Sequence, residues 1–245
     1  MSLRATALAL LLALACAPGA AQQPVPPAAT LPREPLTSVP QTGSPAVVPS
    51  QDGPKAPDKP RGVYAAIEIR SQQAMIARLR QLVPVPRREA IAAALAHPAA
   101  LSPPALYALA NAIAQDDDNL EQAVFWYHVA RIRAVYDALR CKDATARYAV
   151  NIFGRNLNPD VARYQRQHRP RTLVIAQLAL EWDDANPRDY DYRWINLYGK
   201  VARESDGADP SELTVPESEW PAILKYVHDA HLLSVREFAA GEAKQ

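Results

Sequence analysis

Residues 120–140 read LEQAVFWYHVARIRAVYDALR, a run without glycine or proline. Leu120, Ala123, Val124 and Tyr127 recur at helical spacing. Phe125, Val129, Ile132, Tyr136 and Leu139 form a second stripe, with Trp126 beside it. One apolar stripe describes a helix lying on a surface; two describe a helix packed on most sides. The segment therefore predicts a long central helix. Asp116-Asp117-Asp118-Asn119 leads into it, and short polar side chains there satisfy the free N–H groups of a first turn. The acidic triplet lacks the alternating positions and following glycine of a calcium loop, so capping is its reading.

Helical signals continue on both sides. Met75, Ile76, Leu79, Leu82 and Val83 give a helix that ends before Pro84 and Pro86, and a short helix follows from Arg87 to about Ala96. Ser102 precedes Pro103-Pro104, an N-cap with proline in the first turn, and Leu106, Leu109, Ala110 and Ile113 form the stripe of that helix. A helix from about Asp143 to Phe153 is expected to close on Gly154 in a left-handed C′ position. Asn158-Pro159 starts another, through Tyr164. Leu173 to Trp182 reads as a second buried helix stopped at Asn186-Pro187. The last begins near Pro216 and carries Trp220, Ile223, Leu224, Val227, His231, Val235 and Phe238 on one face. Val63 to Ile69 is ambiguous between a strand and an extension of the first helix. The expected fold class is all-α, an antiparallel helical bundle or hairpin array, occupying residues 62–240 with a tail at 241–245.

The chain upstream has a different composition. Residues 1–21 read as a secretory signal: Arg4 supplies the positive end, and Ala5 to Ala15 is an apolar run too short to span a bilayer, which needs about 20 residues. Gly19-Ala20-Ala21 suits signal peptidase. Ala13-Leu14-Ala15-Cys16 also resembles a bacterial lipobox, although that pattern prefers Leu three residues before the cysteine. Lipidation at Cys16 and cleavage after Ala21 both stay open. In residues 22–61 roughly every third or fourth residue is proline, which removes a backbone donor and fixes φ. With few large apolar residues, this stretch reads as a disordered, extended linker.

The net charge of +1 excludes bulk electrostatic steering toward nucleic acid. The distribution is uneven. Arg61, Arg70, Arg78, Arg80, Arg87 and Arg88 make one segment basic, whereas Glu181 to Glu219 is acidic. Such runs either pair within a fold or form a docking surface. Trp182, Asp183, Asp184, Asp189, Tyr190, Asp191, Tyr192, Arg193, Trp194 and Tyr198 combine aromatic and charged residues as interface hot spots do. They are the candidate partner-binding residues.

Other chemistry is weaker. His228 and His231 are three apart on one helix and would supply two metal positions, but no third ligand recurs at a matching spacing. Glu121, His128 and Arg131 share a helical face and read as a solvent-facing strip. Cys141, alone once Cys16 is removed or lipidated, reads as a small buried residue at a helix end. There is no nucleophile elbow, phosphate loop or zinc-protease motif. No cofactor, metal or catalytic residue is assigned.

Leu109-Ala110, Asn119 to Ala123, Trp126-Tyr127 and Ala130 resemble one unit of a tetratricopeptide-type repeat, in its SEL-like variant, over about residues 105–134. Ala110 stands where that family usually has glycine, and no second copy follows, so the resemblance implies a helical hairpin rather than a repeat array. As a whole, the chain is similar to secreted helical proteins of Gram-negative bacteria, some of which are immunity proteins. The expectation is a non-enzymatic envelope protein, periplasmic or anchored in the outer membrane as a lipoprotein. It would block a protein partner, such as an antibacterial toxin, by occlusion. A structural or assembly lipoprotein and an envelope hydrolase are the alternatives.

Overall fold

A computed structural model describes residues 60–116, 119–204, 209 and 213–241. The stretch read as a secretory signal, Cys16 and nearly all of the stretch read as a linker lie outside them, as do Asp117 and Asp118. Nine α-helices are present among the described residues: α1 (Arg70–Leu79), α2 (Pro84–Ala96), α3 (Pro103–Asp116), α4 (Leu120–Arg140), α5 (Tyr148–Arg155), α6 (Pro159–Gln167), α7 (Arg169–Ala185), α8 (Lys200–Glu204) and α9 (Trp220–Ala239). No β-strand occurs among these residues; one isolated bridge joins Cys141 to Thr214. The fold is an all-α helical bundle.

Helix α4 is the axis of the bundle. It packs most extensively on α3, then on α7 and α9, while α1 and α2 lie against α3. The two stripes read in the sequence explain this placement. Ala123, Val124, Val129, Ala130, Ile132 and Ala134 are all enclosed, and alanines on α3 and α7 (Ala105, Ala110, Ala176, Ala179) let the backbones approach closely. Each fully enclosed Leu, Ile or Val contributes about 1.5–3 kcal/mol relative to an exposed one. Asn119 caps α4 as expected, its side chain accepting from the Gln122 N–H at 3.1 Å. Asn158 caps α6 in the same way, through the Asp160 N–H at 2.9 Å.

Several boundaries differ from expectation. Val63–Ile69 is neither strand nor helix extension: Gly62–Ala66 is a 3₁₀ turn, and Tyr64 and Ile67 pack with Leu197, Ala202 and Leu213 in a small second cluster. The second helix starts at Pro84 rather than Arg87, because proline's fixed φ suits a first turn. Gly154 lies inside α5 with no positive φ, so it is not a left-handed cap. The expected helix from Asp143 instead begins as a 3₁₀ turn at Ala144–Arg147. Asp143 caps that turn through the Thr145 N–H and also reaches the Val201 N–H at the start of α8. A Cβ at Gly199 would fall 2.1 Å from Asp143 Oδ2, so any other residue there would push the Asp143 carboxylate off its bonds.

Candidate functional site

The aromatic and acidic segment lies where α7 ends and the chain crosses back over α4. Two buried carboxylates organise it. Arg133, on α4, donates from Nε to Asp183 Oδ1 at 2.7 Å, and both side chains are 0% exposed. Asp183 Oδ2 accepts from Arg188 and from His228 Nε2, the latter at 3.1 Å. The rest of the Arg133 guanidinium holds the loop after α7, reaching the carbonyls of Asn186 and Pro187 at 3.3 and 3.0 Å. Burial pushes the Asp183 carboxyl up, but His228 and the two arginines outweigh it and hold the group below the ordinary carboxylate range. A buried ion survives only with such saturation of its lone pairs.

One helical turn further along α4, Asp137 accepts from Arg140, from Tyr190 Oη at 3.1 Å and from Trp194 Nε1 at 2.7 Å. Here burial wins: the Asp137 carboxyl is raised, against the pull of Arg140 and its hydrogen bonds. Burial, followed by the Asp137 charge, also pushes the Tyr190 phenol well up. The Arg140 guanidinium sits between the rings of Tyr136, Tyr192 and Trp220, at 4.1, 4.4 and 4.5 Å from their centroids. Cation–π contacts of this kind are worth about 2 kcal/mol each when desolvated.

The ten candidate residues thus divide by accessibility. Asp183, Tyr190 and Trp194 are enclosed and hold the domain together. Trp182, Asp191, Tyr192, Arg193 and Tyr198 are partly buried; Asp184 and Asp189 are exposed. Trp182 packs edge-on against Trp126 at 5.2 Å, and Tyr198 against Phe153 and Trp194. Asp191 accepts from Arg193 at 2.7 and 2.8 Å and from the Glu68 N–H at 3.0 Å, fastening the first described segment to this one. Solvent reaches Asp184 and Asp189, whereas the side chains of Asp183, Tyr190 and Trp194 are enclosed.

An open groove of about 450 Å³ runs between α7 and α9, lined by Asp184, Pro221, Leu224, Lys225, His228 and Asp229. His228 bridges two carboxylates, with Nδ1 at 3.4 Å from Asp184 and Nε2 on Asp183. His231 turns the other way, to His128 Nδ1 at 3.1 Å. The two histidines of α9 therefore serve different partners, and among the described residues no group of three metal-ligating side chains forms.

One reading needs correction. Glu121, His128 and Arg131 do not form a solvent-facing strip: His128 is buried, Glu121 and Arg131 are partly buried, and Glu121 is paired with Arg171 at 2.6 Å and with Tyr164. Within the acidic segment, Asp183 pairs with Arg133 and Arg188, and Asp191 with Arg193, which is pairing within the fold. The buried network itself was missed in the sequence, where Arg133 and Asp137 look like ordinary polar breaks in an apolar stripe. Cys141 follows α4 as expected, enclosed, with its thiol pushed up to about 12 by burial.

No protein-family model matches the chain, and no curated protein and no solved structure matches it significantly.

Proposed function

We propose that this is a protein-binding module of the cell envelope that acts by occlusion, with an immunity protein against an antibacterial toxin as the form the sequence resemblance favours. The observation that supports the reading is the charged edge of the α7–α9 groove, where Asp184 stands exposed beside a fixed framework and Asp229, also exposed, pairs with Lys225 at 2.7 Å. Asp189 adds a further exposed carboxylate on the loop after α7. Saturated charge networks beneath such a surface keep its geometry constant, which lowers the ordering cost of association. A partner presenting Lys or Arg side chains would complement it.

The test is affinity capture from envelope extract with the chain from Gln22 onward, beside a variant carrying Asp184→Lys and Asp189→Lys. One stoichiometric partner, lost in the variant while thermal unfolding stays unchanged, supports the reading. An empty capture, or a partner indifferent to both substitutions, overturns it.

A further inference from the structure

The turn between α1 and α2 exposes three large apolar side chains in succession: Leu82 is 90% exposed, Val83 60% and Val85 61%. Every residue from 80 to 85 is exposed, so the feature is a convex tip rather than a groove. Nor is the tip slack. The Arg87 guanidinium lies beneath it and donates from Nη1 to the carbonyls of Gln81 and Leu82 at 2.8 and 3.2 Å. Nη2 pairs with Asp116 Oδ1 at 2.6 Å, and these two side chains are only 8% and 6% exposed. Pro84 adds a fixed φ at the start of α2. A buried ion pair thus holds the turn from inside while its apolar side chains face water.

The surroundings of the tip are basic. Arg78, Arg80 and Arg88 are exposed, and none of the ion pairs among the described residues uses them. Glu89 is the one exposed carboxylate within the same stretch of α2.

We propose that this turn docks the domain on an anionic phospholipid surface, with Leu82, Val83 and Val85 entering the interfacial layer and Arg78, Arg80 and Arg88 binding lipid phosphates. Two arguments favour lipid over a protein partner. Three side chains on a convex tip cover far less than the roughly 800 Å² per partner of a stable protein interface. Shallow insertion of a few apolar groups beside basic residues is, by contrast, the ordinary means of peripheral attachment, and each basic residue near an anionic leaflet strengthens it. The guanidinium fork suits phosphate oxygens in particular. This inference stands apart from the protein-binding reading and uses a different face.

The experiment uses the chain from Gln22 onward, which has neither the apolar leader nor Cys16 and keeps all the described residues. Its co-sedimentation is measured with vesicles of phosphatidylglycerol and phosphatidylethanolamine, and with phosphatidylcholine alone. Binding to the anionic vesicles is expected, weakening with added salt. It should fall about tenfold or more in Leu82→Asp/Val85→Asp and in Arg78→Glu/Arg80→Glu. All four side chains are exposed, so helical content should not change. A second readout is Leu82→Cys labelled with an environment-sensitive dye, since Cys141 is enclosed; its emission should shift to the blue with anionic vesicles only. No sedimentation, equal binding to phosphatidylcholine, or binding untouched by both double variants would overturn the proposal. So would capture of a protein that both double variants lose, without any vesicle binding.

Discussion

Arg133 Nε and Asp183 Oδ1 meet at 2.7 Å across fifty residues of sequence, each side chain sealed from solvent. The pair joins the middle of α4 to the end of α7, and Arg188 and His228 complete the carboxylate. Asn186 and Pro187 are tied to Arg133, and Tyr190 and Trp194 to Asp137 one turn away.

Removing one member of that pair should be costly. Arg133→Met strips a buried carboxylate of one of its two guanidinium partners, and the expected loss is about 3–5 kcal/mol in urea unfolding at neutral pH. Arg133→Met/Asp183→Leu should recover part of it, because neither charge then stays buried without the other. A loss below about 1 kcal/mol for the single variant would mean that α4 and α7 do not depend on this ion pair.

Acid should weaken the domain before the carboxylates held low, such as Asp183 and Asp191, titrate. Burial, then the neighbouring charge of Arg131, holds His231 down to about 3, and burial followed by His231 keeps His128 well below its ordinary 6.5. Both rings are therefore neutral in the fold and take up protons on unfolding below about pH 6.5. Their contribution is complete above that value and is lost as the pH falls toward 3, at up to about 1.4 kcal/mol per pH unit for each proton. Carboxylates held low, such as Asp183 and Asp191, add to the decline only below about pH 5. Unfolding midpoints between pH 7.5 and 5.5 should fall in the native chain and stay flat in His128→Leu/His231→Leu. Parallel slopes would remove this pair as the cause.

Trp194→Phe and Tyr190→Phe each delete one donor to Asp137 while keeping an aromatic ring at the site. Each should cost about 1–3 kcal/mol, the penalty for a buried acceptor left short of a partner. Both should leave capture of a surface-bound partner unaffected at temperatures where the domain is folded. Reduced capture without loss of stability would mean that these side chains contact the partner themselves.

The Cys141 thiol, held up to about 12 and enclosed, should resist alkylation. In the form beginning at Gln22, a maleimide at pH 7.5 should react over hours in buffer and within minutes in urea. Fast reaction of the native chain would show that the bridge between Cys141 and Thr214 opens readily.

Most of the helical architecture was legible in the sequence because it is written in short-range spacing. The double stripe of 120–140 announced the central helix, and Asn119 and Asn158 announced two caps that the structure retains. Gly154 failed as a stop signal because a glycine ends a helix only where the chain turns into positive φ, and here α5 continues through it. Val63–Ile69 failed because its conformation is set by Leu197 and Leu213, residues far along the chain.

The candidate site was legible only as composition. Ten residues between Trp182 and Tyr198 stood out as aromatic and charged, yet sequence spacing could not say which would face water. By itself the sequence determined most of the helices, though neither α8 nor the end of α1 before Leu82 and Val83, and the burial of α4, since periodicity at three to four residues is a local property. Only the tertiary structure decided that Arg133, Asp137 and His128 lie inside and that Asp184 and Asp189 remain outside. Whether a charge on α4 is enclosed depends on which helix packs against that face and what partner it brings, and the partners of Arg133 lie about fifty residues away.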